Sequence, residues 1–325
     1  MISTGLHGFG RFAQHFLYAW LSDPDGISLD FACDEQLTAE AVCDLLIQHD
    51  RLDFSSAMPQ ARDGELLLTR ADGLRQRIIF HHGPAHSASW LGLPDVWLEC
   101  SGLYTQGSDS RHFRVGRTRQ VLVSATCWDA DQTLIMGFNH ESWQADASLL
   151  SYGSCTVNAF VPLAACLHDN FEIYEADVSI IHNLPAHRLV DFPHPQRREC
   201  TLTQMAPRLL PWLNSTQFFV NYTVIPYTGA SLIDLRFRIG KTGTHATVID
   251  VLRQASMRSR YALLDRDPGV ENVIGCAANV VLFEDGITVN GNIVRMSGYF
   301  DNENSAVRYL ELLRWIAEAN EELHR

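Results

Sequence analysis

A chain of 325 residues, 46% of them apolar and 19% charged, is larger than one hydrophobic core ordinarily serves, so a soluble globular protein of two domains is expected. No stretch approaches the ~18 uninterrupted apolar residues of a membrane span, and the opening from Met1 lacks the basic region and cleavage site of an export signal, which points to the cytoplasm. A net charge of −13 disfavours nucleic acid and anionic lipid as partners but leaves room for a local basic pocket holding one small anion.

In chain order, apolar runs at Ile2–Leu6, Ser28–Cys33, Arg77–His81, Asp95–Glu99, Gln120–Val123 and Thr133–Met136 read as strands, with helices over Arg11–Leu21 and Thr38–Gln48. This alternation is that of a doubly wound, mostly parallel sheet. After about Cys155 the texture changes to longer strand-like stretches at Phe171–Ile181, Phe218–Ile225, Ser231–Ile239 and Asn279–Met296, with a helix near Thr247–Met257. A largely antiparallel second domain is expected there. Apolar residues at helical spacing between Glu303 and His324 predict a docked amphipathic helix. The eight cysteines include no CxxC pair and no tight grouping with histidine, so neither a metal site nor a disulfide framework is indicated.

Gly8, Gly10 and Ala13 form the spacing GxGxxA between a predicted strand and a predicted helix, and Asp34 ends the next strand. The first glycine permits a tight turn and the second lets the backbone approach a pyrophosphate. The small third residue lets helix and strand pack closely. Asp34 would bond both ribose hydroxyls and repel a 2′-phosphate, favouring NAD over NADP. Glycines near an N-terminus can also serve turns alone.

Cys155, in the run Ser154-Cys155-Thr156-Val157-Asn158, lies where the texture changes and just before the apolar helical run Ala159–Leu167. A thiol at a helix N-terminus is stabilised as thiolate, and the same N–H groups can hold an oxyanion. His182 closes a strand-like run and offers an imidazole suited to deprotonating that thiol. The bland alternatives are one more buried cysteine and one more structural histidine.

Five ordered segments carry a resemblance. HGFGRF resembles the NGFGRIG of the glyceraldehyde-3-phosphate dehydrogenase family, DVWLECSG its DVVLECTG, MGFNHE its MGVNHE, GSCTVN its ASCTTN and FDNEN its YDNEW. The 27-residue separation of Cys155 from His182 is similar to that of the family's nucleophile and base. The resemblance implies an α/β fold with an N-terminal Rossmann NAD-binding domain (1–154, completed by the C-terminal helix 303–325) and a mainly antiparallel α+β catalytic domain (155–302). It implies Gly8, Phe9, Gly10, Arg11, Phe12, Asp34, Ser101, Gly102, Ser124 and Asn302 around NAD, with Asn302 holding the nicotinamide carboxamide. Cys155 as nucleophile, His182 as base, a thioester intermediate and a homotetramer are also implied.

Substrate recognition departs from the family. Of the hydroxyls and the arginine that build its anion pockets, Ser154 and Thr156 survive. Asn183-Leu184-Pro185 follows the histidine, the STGAAK-like loop is shortened away between Cys200 and Pro211, and Val224 stands for the arginine of RVPT. Arg188, Arg197 and Arg198 are the nearest replacement cations, or else solvated loop charges. The segment IIHNLPAHRLVDFPHPQRR resembles the erythrose-4-phosphate dehydrogenase branch, which releases its acyl group to water. A non-phosphorylating aldehyde dehydrogenase acting on an aldehyde, with sugar phosphates among the candidates, is therefore expected. The alternatives are a phosphorylating enzyme and a catalytically idle NAD-binding homologue.

Overall fold

The computed structural model describes residues 1–259, 262–266, 269–273 and 276–323. The chain divides into two compact units, Met1–Leu134 with Asn139–Gly153 and Tyr309–Arg325, and Ile135–Phe138 with Ser154–Arg308. Residues 135–138 and the first turns of the last helix thus group with the second unit.

The first unit contains β1 (Ile2–His7), α1 (Arg11–Ser22), β2 (Ile27–Asp34), α2 (Ala39–Ile47), β3 (Gln60–Arg62), β4 (Glu65–Thr69), β5 (Arg75–His82), β6 (Val96–Glu99), α3 (Gly107–Ser110), β7 (Gln120–Val123), β8 (Gln132–Thr133) and β9 (Leu149–Ser151). They form one nine-stranded sheet in the order β3-β4-β5-β2-β1-β6-β7-β9-β8. Every residue of β6 and β7 is buried, as a parallel sheet covered on both faces requires. Because β1 lies between β2 and β6 and runs parallel to both, the sheet reverses its winding there. In such sheets ligands bind outside the carboxyl ends of the strands at the reversal. That point is where the chain places His7-Gly8, Asp34 and Glu99.

The second unit contains α4 (Cys155–Phe171), β10 (Ile173–His182), β11 (Gln196–Arg197), α5 (Leu202–Leu209), β12 (Phe218–Val224), β13 (Ser231–Ile239), α6 (His245–Ser259), β14 (Ala262–Asp265), α7 (Val270–Val273), β15 (Val280–Phe283), β16 (Thr288–Asn290) and β17 (Ile293–Phe300). The last helix, α8 (Asn302–Leu323), starts here and ends in the first unit. The sheet runs β11-β12-β10-β13-β17-β15-β14 with β16 on β17, and its central pairs β10–β13 and β13–β17 are antiparallel. Alternation in β10 sends Ala176, Val178 and Ile180 into the core and leaves Tyr174, Ser179 and Ile181 exposed. α4 supplies Val157, Phe160, Val161, Leu163, Ala164 and Leu167 to the same core. Each large side chain there contributes roughly 1.5–3 kcal/mol of burial, so the start of α4 is anchored by the rest of the helix.

The structure revises some expected elements. Thr133–Met136 is a strand only at its first residue, because the ladder with β9 ends at Thr133. Asn279–Met296 is broken into β15, β16 and part of β17, with Gly291 at φ +59° turning the β16–β17 hairpin. The segment between Cys200 and Pro211 forms α5, and the hairpin β3–β4 extends the first sheet's edge.

Candidate active site

In the first unit, the turn after β1 is built around Gly8. Its φ is +88°, and a Cβ there would meet the Ser101 Cα at 2.5 Å, so only glycine fits. Gly10 differs, because an added Cβ would meet nothing within 4 Å. Gly10 caps α1 with no side-chain hydrogen bond, which leaves the helix N-terminus to an anion. Asp34 braces the turn by accepting from Phe9 N at 2.9 Å through Oδ2, and from Gln36 N and Leu37 N through Oδ1. Phe9 is buried against Phe80, and Phe12 packs edge-on against Tyr309 of α8. Arg11 opens the helix, half-buried. These residues fit a bound dinucleotide: a glycine cradle, an uncapped helix start and an acid at the end of the second strand.

Two residues beneath the turn escaped the sequence reading. His7 and Glu99 are fully buried and 2.6 Å apart, and Glu99 Oε1 also accepts from Ser101 N (2.9 Å) and from Ser101 Oγ. Glu99 thereby fixes Ser101 and the following Gly102, whose φ is +74°. Ser124 N donates to the Glu99 carbonyl at 2.9 Å. A lone acid closing the apolar strand VWLE was the available signal.

In the second unit, Cys155 is the first residue of α4, with Ser154 as its cap accepting from Val157 N. Cys155 Sγ lies 3.4 Å from Nε2 of His182 at the end of β10, so the structure brings the expected nucleophile and base together. His182 Nδ1 is 2.8 Å from the Asn183 carbonyl oxygen. A carbonyl only accepts, so Nδ1 carries the proton and Nε2 of the neutral ring offers its lone pair to the thiol. The imidazole is flanked by Tyr222 and Phe300. Burial pushes the Tyr222 phenol well above its ordinary range, so it stays neutral beside the thiol.

Ser154 Oγ lies 3.0 Å from Thr156 Oγ1 and 2.9 Å from Thr201 Oγ1. Thr201, just before α5, was not foreseen because nothing in its local spacing marks it. The arginines are exposed. Arg188 and Arg198 each hold their guanidinium 5.0 Å from the Phe192 ring centroid, while Arg197 donates to Asn221 at 2.8 Å. Among the described residues none of the three forms an ion pair. Val224 is buried with Leu184 and Phe192 and pairs in register with His182, so an apolar side chain sits beside the base. Asn302 opens α8, directly after Asp301.

Residues 154–310 match the family model described as glyceraldehyde 3-phosphate dehydrogenase, C-terminal domain. The chain is 27% identical over 336 residues to the glyceraldehyde-3-phosphate dehydrogenase of Kitasatospora aureofaciens, covering 96% of this chain and 99% of that protein. It is 26% identical over 321 residues to glyceraldehyde-3-phosphate dehydrogenase 2 of Streptomyces avermitilis, covering 93% and 94%. With the corresponding protein of Sordaria macrospora it shares 24% over 340 residues, covering 98% of each. The chain has an α/β fold with a Rossmann-like, mostly parallel sheet and a second, mostly antiparallel sheet. Residues 154–310 thus match the C-terminal domain of glyceraldehyde 3-phosphate dehydrogenase, and the chain as a whole is similar to the glyceraldehyde-3-phosphate dehydrogenases named above.

Proposed function

We propose that the chain is an NAD-dependent aldehyde dehydrogenase, working through a thiohemiacetal and a thioester on Cys155 and releasing the acid to water, as in the erythrose-4-phosphate dehydrogenase branch. The observation that carries this reading is the 3.4 Å approach of Cys155 Sγ to His182 Nε2 at the start of α4.

His182 Nε2 takes the thiol proton as Sγ bonds the aldehyde carbon, and the imidazolium returns it to the resulting alkoxide. N–H groups in the first turn of α4 face the charge that develops on that oxygen. NAD, when bound at the Gly8–Asp34 turn, Ser101, Ser124 and Asn302, supplies the acceptor for the hydride lost from the adduct carbon. His182 removes the hydroxyl proton in the same step and passes it to solvent, leaving a thioester. It then takes a proton from the water that attacks the thioester, and Cys155 departs as a thiolate paired with the imidazolium. Asp34 favours NAD over NADP because a carboxylate repels a 2′-phosphate.

Loss of the family's arginine at Val224 supports water as acceptor, since each missing charge-assisted bond removes roughly 1.5–3 kcal/mol from an anion clamp. Arg188 and Arg198 are the cations in this reading that would meet an anionic substrate. A phosphorylating reaction is the second reading, favoured by the convergence of the Ser154, Thr156 and Thr201 hydroxyls. By the same resemblance the functional form is a homotetramer.

The test is NADH formation with glyceraldehyde 3-phosphate, erythrose 4-phosphate and unphosphorylated aldehydes, each with and without inorganic phosphate. Turnover independent of phosphate is expected. Turnover requiring phosphate would replace this reading with the phosphorylating one. No turnover with any aldehyde, despite NAD binding, would leave an idle NAD-binding homologue.

A further inference from the structure

The residue after the base differs from the family's and is tied down on every side. Asn183 is 1% exposed. Its backbone N–H donates to Ser231 Oγ at 3.1 Å, and that hydroxyl donates to Asn183 Oδ1 at 3.2 Å. Its Nδ2 donates to Asp301 Oδ2 at 2.8 Å and to the Gly229 carbonyl. Asp301 is itself 1% exposed. Both amide protons and the amide oxygen are therefore engaged, and the Asn183 peptide cannot turn without stranding buried polar groups. The oxygen that accepts from His182 Nδ1 is the Asn183 carbonyl, in the next peptide, whose Leu184 N–H donates to the Tyr227 carbonyl at 2.8 Å.

We propose that Asn183 is a positioning residue: the Asp301–Asn183–Ser231 network locks the peptide oxygen that keeps the proton on His182 Nδ1, and so keeps Nε2 directed at Cys155. Without the lock the ring can shift its proton to Nε2 or rotate away, and the thiol loses its base. The network also ties the end of β10 to Asp301, the residue before Asn302. The inference rests on the proposed Cys155–His182 chemistry.

The test is the rate of Cys155 alkylation by iodoacetamide against pH, in the full chain, with the thermal transition followed in parallel. The wild type should retain reactivity at acidic pH, because a cysteine paired with an imidazolium ionises below the usual range. Asn183→Ala and the isosteric Asn183→Asp should lose about tenfold or more of the rate at pH 6, the effect of a one-unit rise in the thiol's midpoint. Ser231→Ala, which removes one hydroxyl, should move the profile the same way by less. The exchange Asn183→Asp with Asp301→Asn, which swaps donor and acceptor between the two positions, should recover part of the loss, the bond to the Gly229 carbonyl staying absent. Variants that melt earlier yet keep the wild-type profile, or an exchange as impaired as Asn183→Asp alone, would overturn the positioning role. An ordinary thiol profile in the wild type would instead overturn the Cys155–His182 reading beneath it.

Discussion

At the scale of single residues, one thiol among eight cysteines stands apart. Burial pushes Cys43 and Cys127 up to about 11, holds Cys33 and Cys100 higher still and raises Cys200 and Cys276. Alkylation follows the thiolate, so one equivalent of iodoacetamide at pH 7 should modify the Cys155 peptide ahead of those six, as peptide mass mapping would read. Comparable labelling of Cys43 or Cys127 would argue against an activated Cys155. The pair itself was legible, since Cys155 stood at a change of texture and His182 at a strand end. Its supports were not. Asn183, Thr201 and Asp301 lie 48, 47 and 118 residues from Ser231, Ser154 and Asn183, separations that tell nothing of contact; the sheet register and the turn at Gly229 bring Asn183 to Asp301.

At the scale of elements, the two glycines of the first turn separate folding from binding. Gly8→Ala places a Cβ on Ser101 at a φ of +88° and should cost more than about 2 kcal/mol, the strain expected of a non-glycine residue held there, measured by urea unfolding. Gly10→Ala meets open space, so stability should change by no more than about 0.5 kcal/mol while NAD affinity falls about tenfold or more, read by titration calorimetry. Equal affinity in Gly10→Ala would remove the pyrophosphate from that turn. Asp131 ties β9 to the segment before β7: it accepts two bonds from Arg111 and others from Ser148 and Leu149. Chiefly through Arg111, its carboxyl is held well below the ordinary range. A depressed folded-state pKa contributes stability above the unfolded value of about 3.9 and loses it as pH falls through the folded value. Asp131→Asn should therefore lower stability by about 1.5–3 kcal/mol at pH 7, with the gap from wild type closing below about pH 4 in urea titrations. β10 and β13 were readable as long strand-like stretches, whereas Asn290-Gly291 turns the chain inside the last of them. The helix α5 was hidden by Pro207 inside it.

At the scale of the whole molecule, the glycine turn of the first unit and the thiol–imidazole pair of the second make the proposed dehydrogenase only if NAD reduction and acylation of Cys155 are stages of one reaction. Fold class followed from rhythm, alternating strands and helices and then longer strands, and the family resemblance from five short segments spread along the chain. Water as acyl acceptor was read from Val224 at the arginine's place and from the segment after His182, whereas Thr201, whose hydroxyl the folded chain brings to Ser154, carried no mark in the sequence. If the homotetramer holds, sedimentation should give four times the mass of a 36.6 kDa chain; a monomer would contradict that part of the proposal. The most direct test of the central claim is rapid mixing of the protein with excess NAD and an aldehyde substrate, with NADH and the mass of the acid-quenched chain followed together. One NADH per chain is expected in the first turnover, with an acyl group on the Cys155 peptide, and neither in Cys155→Ser. NADH formation by Cys155→Ser at the wild-type rate, or turnover in which the adduct sits on another residue, would contradict it.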